Sequence, residues 1–146
     1  MLRYSLDSAA RNTVTLEQEL KVAADYLEIE KTRFGERLRY TIDVPETLMK
    51  FEVPPFSLQT LVENSVKYGG SEIRVTAQNG NGRLVLRVWD SGDGLPDKLE
   101  LPAGHGLRNL KDRLDALCGS KAAVQFPREQ AGTMVQLSLP AQRDER

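Results

Sequence analysis

The sequence has few of the residues that build covalent or metal cross-links. Cys118 is the one cysteine and His105 the one histidine among 146 residues, which excludes an internal disulfide, a cysteine zinc cluster and a multi-histidine metal site. No apolar run approaches the roughly 20 residues that span a bilayer, and the first residues lack a signal-peptide pattern. Lysine and arginine (20) nearly balance aspartate and glutamate (21). That balance argues against a nucleic-acid binder that depends on bulk positive charge, and we expect a soluble intracellular piece.

An amphipathic helix is predicted over residues 15–34. Thr15 and Gln18 fit a capping box, and Gly35 is a suitable stop. Apolar residues recur at helical spacings along this segment, namely at Leu16, Leu20, Ala23, Leu27 and Phe34. The helix either packs on its own domain or continues a bundle or dimer stalk, and the pattern alone favours neither.

After residue 37 the hydrophobic period changes to that of strands. Alternation predicts strands near 38–44, 73–77, 84–88, 122–127 and 133–139, with a hairpin turn at Asn79-Gly80-Asn81-Gly82. Further helices are predicted from Pro55 and over 106–118. The hairpins are separated from the helices, so we expect an α+β fold: a two-layer α/β sandwich whose mixed, mostly antiparallel sheet carries the helices on one face. A doubly wound nucleotide fold is disfavoured, because strictly alternating βαβ units are missing.

The helix that begins at Pro55 has an apolar and a polar side. The polar side presents Glu63, Asn64 and Lys67 within about 100° of arc. A carboxylate can orient or deprotonate a nucleophile, an amide oxygen suits Mg²⁺, and an ammonium group can bind phosphate. This face is either a phosphate and magnesium site or an ordinary solvated surface, and the solvated surface is the commoner case.

Three glycine-containing segments follow. Asp90-Ser91-Gly92-Asp93-Gly94 comes directly after a strand, where an ionised Asp90 can accept a hydrogen bond from the exocyclic amine of adenine; the alternative is a tight turn. Gly104-His105-Gly106-Leu107 precedes a helix whose N-terminal N–H groups can bind phosphate; the alternative is a flexible loop. Gly132-Thr133 opens the last strand and is weak by itself. The Walker phosphate loop and the Rossmann fingerprint do not occur.

In this order the segments resemble the N, G1, G2 and G3 boxes of the Bergerat ATP-binding fold of gyrase, the large heat-shock chaperone, histidine kinases and MutL. The surrounding sequence resembles that of LytS-type sensor histidine kinases. The similar segments are VPPF and QTLVEN within 53–64, YLEIEK at 26–31 and RFGERL at 33–38. Leu2-Arg3-Tyr4-Ser5-Leu6 resembles the end of that family's phosphoacceptor helix. The resemblance covers residues 2–140.

The resemblance implies a role for each matching residue. Asn64 would ligate Mg²⁺, and Lys67 would contact the phosphates of ATP. Asp90 would select adenine, with support from Thr133 on the neighbouring strand. Glu63 would polarise the incoming phosphoacceptor imidazole, so that Glu63 and Lys67 are the implied catalytic residues.

The remaining implied residues surround the nucleotide. Gly92 and Gly94 would form the floor of the adenine pocket, and Gly104 and Gly106 would hinge the lid and offer N–H groups to phosphate. Three further side chains would lie near the nucleotide: His105, Leu107 and Tyr68.

The chain departs from the family in one important respect. The family's phosphorylated histidine lies in an upstream stretch that nothing here matches, and His105 falls in the lid. We therefore expect this chain to bind ATP without phosphorylating itself. By resemblance, residues 1–36 are the C-terminal part of the dimerisation and phosphoacceptor region, with the 15–34 helix in a dimer stalk. Residues 37–141 are the ATP-binding catalytic domain, and 142–146 are a charged tail.

The implied function is that of a two-component sensor histidine kinase, which transfers the γ-phosphoryl group of Mg-ATP to a histidine on an upstream helix. The implied cofactors are ATP and Mg²⁺, and the implied partners are the acceptor helix of a homodimer and a downstream response regulator, not nucleic acid. We expect this chain to be a cytoplasmic piece of a membrane-bound sensor. The piece itself is expected not to span the membrane. Two alternatives stay open: a serine kinase or ATPase of the anti-sigma type, and a non-catalytic nucleotide-sensing module.

Overall fold

The computed structural model describes residues 13–68, 71–92, 106–127, 129 and 131–141. The strands in these ranges are β1 (Val14–Thr15), β2 (Arg39–Asp43), β3 (Glu52–Val53), β4 (Glu72–Gly80), β5 (Arg83–Asp90), β6 (Ala123–Gln125) and β7 (Thr133–Pro140). The α-helices are α1 (Leu16–Phe34), α2 (Ser57–Tyr68) and α3 (Gly106–Cys118). Short 3₁₀ turns follow α1 and α3 and precede β3.

A five-stranded sheet forms one layer, in the order β2-β4-β5-β7-β6. β2 runs parallel to β4, and the other neighbours pair antiparallel. Alternate side chains of the central strands are buried, and they share one hydrophobic core with the three helices. This arrangement confirms the predicted α+β sandwich with a mixed, mostly antiparallel sheet.

The hairpin between β4 and β5 has the predicted turn. Gly80 pairs with Arg83, so Asn81 and Gly82 form a two-residue loop, with φ of 55° and 72°. Positive φ at both positions is the type I′ geometry, which matches the twist of the flanking strands and favours Asn-Gly. The strand pairing extends through Asn79 and Gly80, which the sequence assigned to the turn.

Helix α1 begins and ends where the sequence predicts. The Thr15 side chain accepts a hydrogen bond from Gln18 N, and the Gln18 side chain accepts one from Thr15 N, completing the capping box. Gly35 follows the helix with φ of 62°. The apolar face of α1 is buried in the shared core, and it packs mainly on α2. Of the two interpretations, the structure shows a helix packed on its own domain; the stalk and the division at residue 36 stay predictions.

Two features near α2 differ from the sequence expectation. The helix begins at Ser57 rather than Pro55, because Phe56 has φ of 64° and cannot continue a right-handed helix. In addition, β1 and β3 form a two-stranded antiparallel sheet, which has too few residues to show a hydrophobic period. Leu16 N–H donates to Phe51 O at 2.8 Å, so the start of α1 is fastened to the segment before α2. No helix in the described ranges is long and apolar enough to cross a membrane.

Candidate functional site

Helix α2 presents the predicted polar face. Leu58, Leu61, Val62 and Ser65 are fully buried, whereas Glu63 and Lys67 are exposed and Asn64 is half-buried. Gln59 Nε2 donates to Glu63 Oε1 at 2.8 Å, which orients the Glu63 carboxylate from one turn earlier. The arrangement leaves an amide, a carboxylate and an ammonium group on one accessible side of the helix, as the helical spacing predicted. The side chain of Tyr68 lies outside the described part of the structure.

Asp90 is a buried carboxylate at the end of β5. It is 3% exposed, and its Oδ1 accepts a hydrogen bond from Gly92 N at 2.9 Å. Burial raises the pKa of Asp90, while the Gly92 N–H and the Ser65 hydroxyl lower it. Ser65 Oγ is near enough to act on this pKa, but it has no partner in full hydrogen-bonding geometry among the described residues. A buried carboxylate beside an unbonded hydroxyl is suited to a ligand that brings its own donor and acceptor.

The start of β7 closes against the end of β5. Asp90 pairs with Thr133, which is 9% exposed, and Trp89 pairs with Met134. Gly132 has φ of 81°, and a Cβ added there would clash with Asp90 O and come within 2.7 Å of the Trp89 ring. Glycine is required at this position both for its backbone conformation and for the close approach. The Gly132-Thr133 segment, weak in the sequence, therefore fixes the backbone that carries Asp90.

The glycine pair before α3 is only partly described. Gly106 opens the helix, and a Cβ there would lie 3.6 Å from Thr60 Cγ2 of α2, an ordinary contact. The Leu107 side chain is 1% exposed and belongs to the core. A nucleotide contact from Leu107 would thus come from its backbone. Gly94, Gly104 and His105 lie outside the described residues, so their predicted roles stay predictions.

The protein side chains do not form a metal cage by themselves. Among the described residues, no group of three or more histidine, cysteine, aspartate or glutamate side chains could hold a metal ion. Mg²⁺ commonly binds through one or two protein ligands together with substrate phosphates and water. The single amide of Asn64 on the open face of α2 fits that mode of binding.

Sequence reasoning missed one residue that shapes the site. Glu19 lies on the buried face of α1, with its side chain directed at the N-terminus of α2, where it accepts hydrogen bonds from Phe56 N and Leu58 N. The signal in the sequence was a carboxylate at a position of the apolar stripe, next to Leu20 and three residues after Leu16. Its partners are 37 and 39 residues away, so no local pattern could identify them.

Two protein-family models match parts of this chain. A model of the histidine kinase-, DNA gyrase B- and HSP90-like ATPases matches residues 57–143, and a histidine kinase model matches residues 1–38. The sensor protein LytS of Staphylococcus saprophyticus is 36% identical in an alignment that covers 94% of this chain and 26% of that protein. The chain thus spans about a quarter of the length of that curated relative.

Solved structures of histidine kinases share this fold. The nucleotide-free catalytic domain of histidine kinase ThkA aligns with a TM-score of 0.71 at 14% identity, over 90% of this chain and 97% of that one. ThkA in complex with the response regulator protein TrrA aligns with a TM-score of 0.67 at 14% identity, over 92% of this chain and 42% of that one. At this identity the likeness establishes the fold, and it confirms the Bergerat-type architecture. Together with the family match over more than half of its residues, the fold shows that the chain belongs to the histidine kinase-, DNA gyrase B- and HSP90-like ATPases.

Proposed function

We propose that this chain is the ATP-binding catalytic region of a LytS-type two-component sensor histidine kinase. The observation that carries the proposal is the buried Asp90 carboxyl group, which accepts a hydrogen bond from Gly92 N–H and lies next to Ser65 of α2, the helix whose polar side carries Glu63, Asn64 and Lys67. A fixed carboxylate supplies the acceptor for an adenine amine, and the helix face supplies groups for Mg²⁺ and phosphate. Phosphoryl transfer asks a protein mainly for such positioning and charge stabilisation.

The proposed roles divide between recognition and chemistry. Asp90 accepts a hydrogen bond from the exocyclic amine of adenine, and Thr133 and the Ser65 hydroxyl lie beside it. Asn64 holds Mg²⁺, which neutralises charge on the phosphates when bound. Lys67 offers its ammonium group to the phosphates from the next turn of α2, because residues three apart share a helix face.

The remaining groups act on the phosphoacceptor and the phosphates. Glu63, oriented by Gln59, polarises the incoming imidazole of an acceptor histidine. Backbone N–H groups at Gly104 and Gly106 contact phosphate at the positive end of α3. Gly92 and Gly94 form the floor of the base pocket, and three side chains complete the surroundings of the nucleotide: His105, Leu107 through its backbone, and Tyr68.

The same proposal sets the partners and the cellular context. The γ-phosphoryl group passes to a histidine on an upstream helix of a homodimer, then to a response regulator, with nucleic acid playing no part. Residues 1–36 are the C-terminal part of the dimerisation and phosphoacceptor region, residues 37–141 form the catalytic domain, and residues 142–146 form a charged tail. The chain works in the cytoplasm as part of a membrane-bound sensor.

Calorimetric titration of Mg-ATP and Mg-GTP into the chain tests the nucleotide site. We expect ATP to bind, GTP to bind weakly, and Asp90→Asn to remove the difference, because an amide no longer offers two acceptor oxygens. Asp43→Asn is the matched control, since Asp43 is an exposed aspartate at the end of β2. Equal affinity for ATP and GTP, or no binding of either to the folded protein, would contradict the proposed site.

A transfer assay then tests the chemistry. An acceptor-bearing helical fragment of a LytS-type kinase is supplied in trans with Mg-ATP, and phosphohistidine is measured. Glu63→Gln should slow transfer by about 10²–10⁴-fold, the usual contribution of general acid–base catalysis, and leave the Kd for ATP unchanged. Transfer to a serine-bearing substrate instead would favour the anti-sigma type of kinase. ATP binding with no transfer to either acceptor would favour a nucleotide-sensing module.

A further inference from the structure

A buried carboxylate joins α1 to the start of α2. Glu19 is 4% exposed and lies among the apolar residues of the inner face of α1. Its Oε2 accepts a hydrogen bond from Phe56 N and its Oε1 one from Leu58 N, each at 3.1 Å. The backbone N–H of Gln59 adds a further favourable interaction with the same charge. One side chain from α1 therefore satisfies N–H groups that an α-helix leaves unpaired at its N-terminus.

Phe56, the residue before α2, has no side-chain acceptor that could cap the helix. The Ser57 hydroxyl donates to Pro54 O. A carboxylate at a helix N-terminus is favoured by the helix dipole and forms charge-assisted hydrogen bonds. Glu19 thus takes the role that a neighbouring Ser, Thr or Asp ordinarily has, from a different helix.

The same carboxylate holds an unusual backbone. Phe56 has φ of 64°, which is uncommon for a residue with a bulky side chain. Its ring is 57% exposed, so packing contributes little to this conformation. The hydrogen bonds of its backbone hold it instead: Phe56 N donates to Glu19, and Phe56 O accepts from Thr60 N at 2.9 Å and from Thr60 Oγ1 at 2.7 Å. The residue at which α2 starts is therefore set by a contact with α1.

The positive charge of Arg113, on α3, also acts on the Glu19 carboxyl group. Burial raises the pKa of Glu19, and the α2 N–H groups and the charge of Arg113 offset part of this rise. Arg113 Nε and Nη2 are buried and have no hydrogen-bond partner among the described residues. Carboxyl groups are expensive to bury, so the placement of Glu19 between α1 and the start of α2 is not explained by core packing.

We infer that Glu19 is a positioning residue for the nucleotide site, because its two hydrogen bonds fix the start of α2 on α1. Glu63, Asn64 and Lys67 lie two to three turns further along α2, and Gly106 opens α3. The link to nucleotide binding rests on the proposed function; the fastening of α2 does not. Glu19 acts through these helices and does not itself touch the nucleotide.

Glu19→Gln tests the inference, with Glu17→Gln as the matched control on the exposed side of the same helix. Gln has nearly the shape of Glu but one acceptor oxygen, so one of the two N–H groups must face an amide NH₂. Amide hydrogen exchange is measured by NMR on the nucleotide-free chain at Phe56, Leu58 and along α2. Amides of β4 and β5 report global stability in the same sample. We expect exchange in the first turns of α2 to accelerate at least about tenfold relative to the sheet in E19Q, and not in E17Q.

The affinity for Mg-ATP gives the second measurement. We expect Kd to rise about tenfold in E19Q, equivalent to about 1.4 kcal/mol, with E17Q unchanged. If the wild-type chain binds no nucleotide, the proposed function fails, and the exchange experiment alone decides whether Glu19 fastens α2. Glu19 is not a positioning residue if amide exchange accelerates equally in α2 and in the sheet of E19Q. The same conclusion follows if the wild-type chain binds Mg-ATP and E19Q has the same Kd for it. Should E19Q fail to fold, Glu19→Asp, which keeps the charge but shortens the side chain, is judged by the same two criteria.

Discussion

Replacing Gly132 by alanine is the sharpest test of how the end of β5 is built. Two separate effects oppose a side chain at this position. The backbone has φ of 81°, which costs an L-residue about 1–2 kcal/mol. The new Cβ would also meet Asp90 O and the Trp89 ring, and overpacking of this kind costs about 1–3 kcal/mol. We therefore expect Gly132→Ala to lower the free energy of unfolding by about 2–5 kcal/mol.

Gly82→Ala separates the two effects. Gly82 has φ of 72°, similar to that of Gly132, but nothing lies within 4 Å of a Cβ placed there. Gly82→Ala should therefore lower the free energy of unfolding only by the cost of the backbone conformation, about 1–2 kcal/mol. The difference between the two variants in urea denaturation measures the close approach of Gly132 to Asp90 and Trp89.

Tryptophan fluorescence supplies both the unfolding signal and a local readout. Trp89 is the one tryptophan of the chain; its Nε1 donates to Ala131 O at 3.0 Å, and the Arg74 guanidinium lies 4.7 Å from its ring centroid. We expect the emission of folded G132A to shift and that of folded G82A to stay unchanged. Equal losses of stability in the two variants, with unchanged emission in both, would refute the tight apposition of β5 and the Gly132 loop.

Three further outcomes follow from burial and hydrogen bonding. Burial raises the pKa of Asp90, so the contribution of this group to the free energy of unfolding is present at low pH and is lost as the pH rises through its folded-state pKa. In denaturation experiments, the stability of wild type relative to Asp90→Asn should therefore increase as the pH falls from 7 to about 4. The hydrogen bond to Glu28 raises the pKa of Tyr40 to about 12, and ultraviolet titration of Glu28→Gln should show this tyrosine ionising at lower pH than in wild type. Leu107→Ala and Leu110→Ala should each lower the free energy of unfolding by about 2–5 kcal/mol, because both side chains lie in the core. A loss under about 0.5 kcal/mol, typical of surface positions, would place Leu107 outside the core.

The features that the sequence predicted correctly depend on residues close together in the chain. The Thr15 capping box, the Asn81-Gly82 turn and the polar side of α2 each follow from spacings of four residues or fewer, for which backbone geometry leaves few options. No single motif was enough to propose a nucleotide pocket. The proposal needed several motifs in a particular order along the chain.

The features that the sequence did not predict depend on distant partners. Phe56 adopts a left-handed backbone, and α2 starts late, because Glu19 from another helix bonds its N–H. The need for glycine at 132 becomes visible only when Asp90 and Trp89 lie against it. Periodicity reports which face of an element is buried, but not what the opposite element brings to that face.

The parallel pairing of β2 with β4 has a consequence for the order of folding. The β4–β5 hairpin closes through two residues, whereas the β2–β4 pair encloses β3 and all of α2. Hairpins form within microseconds, and pairings between distant segments come later because a longer loop must be closed first. Asp90 thus belongs to an early local unit, while the helix with Asn64 and Lys67 arrives when the crossover closes. Partial unfolding that opens the β2–β4 pair would separate the two halves of the proposed nucleotide site and leave the hairpin intact, so we expect nucleotide binding to be lost before the β4–β5 hairpin.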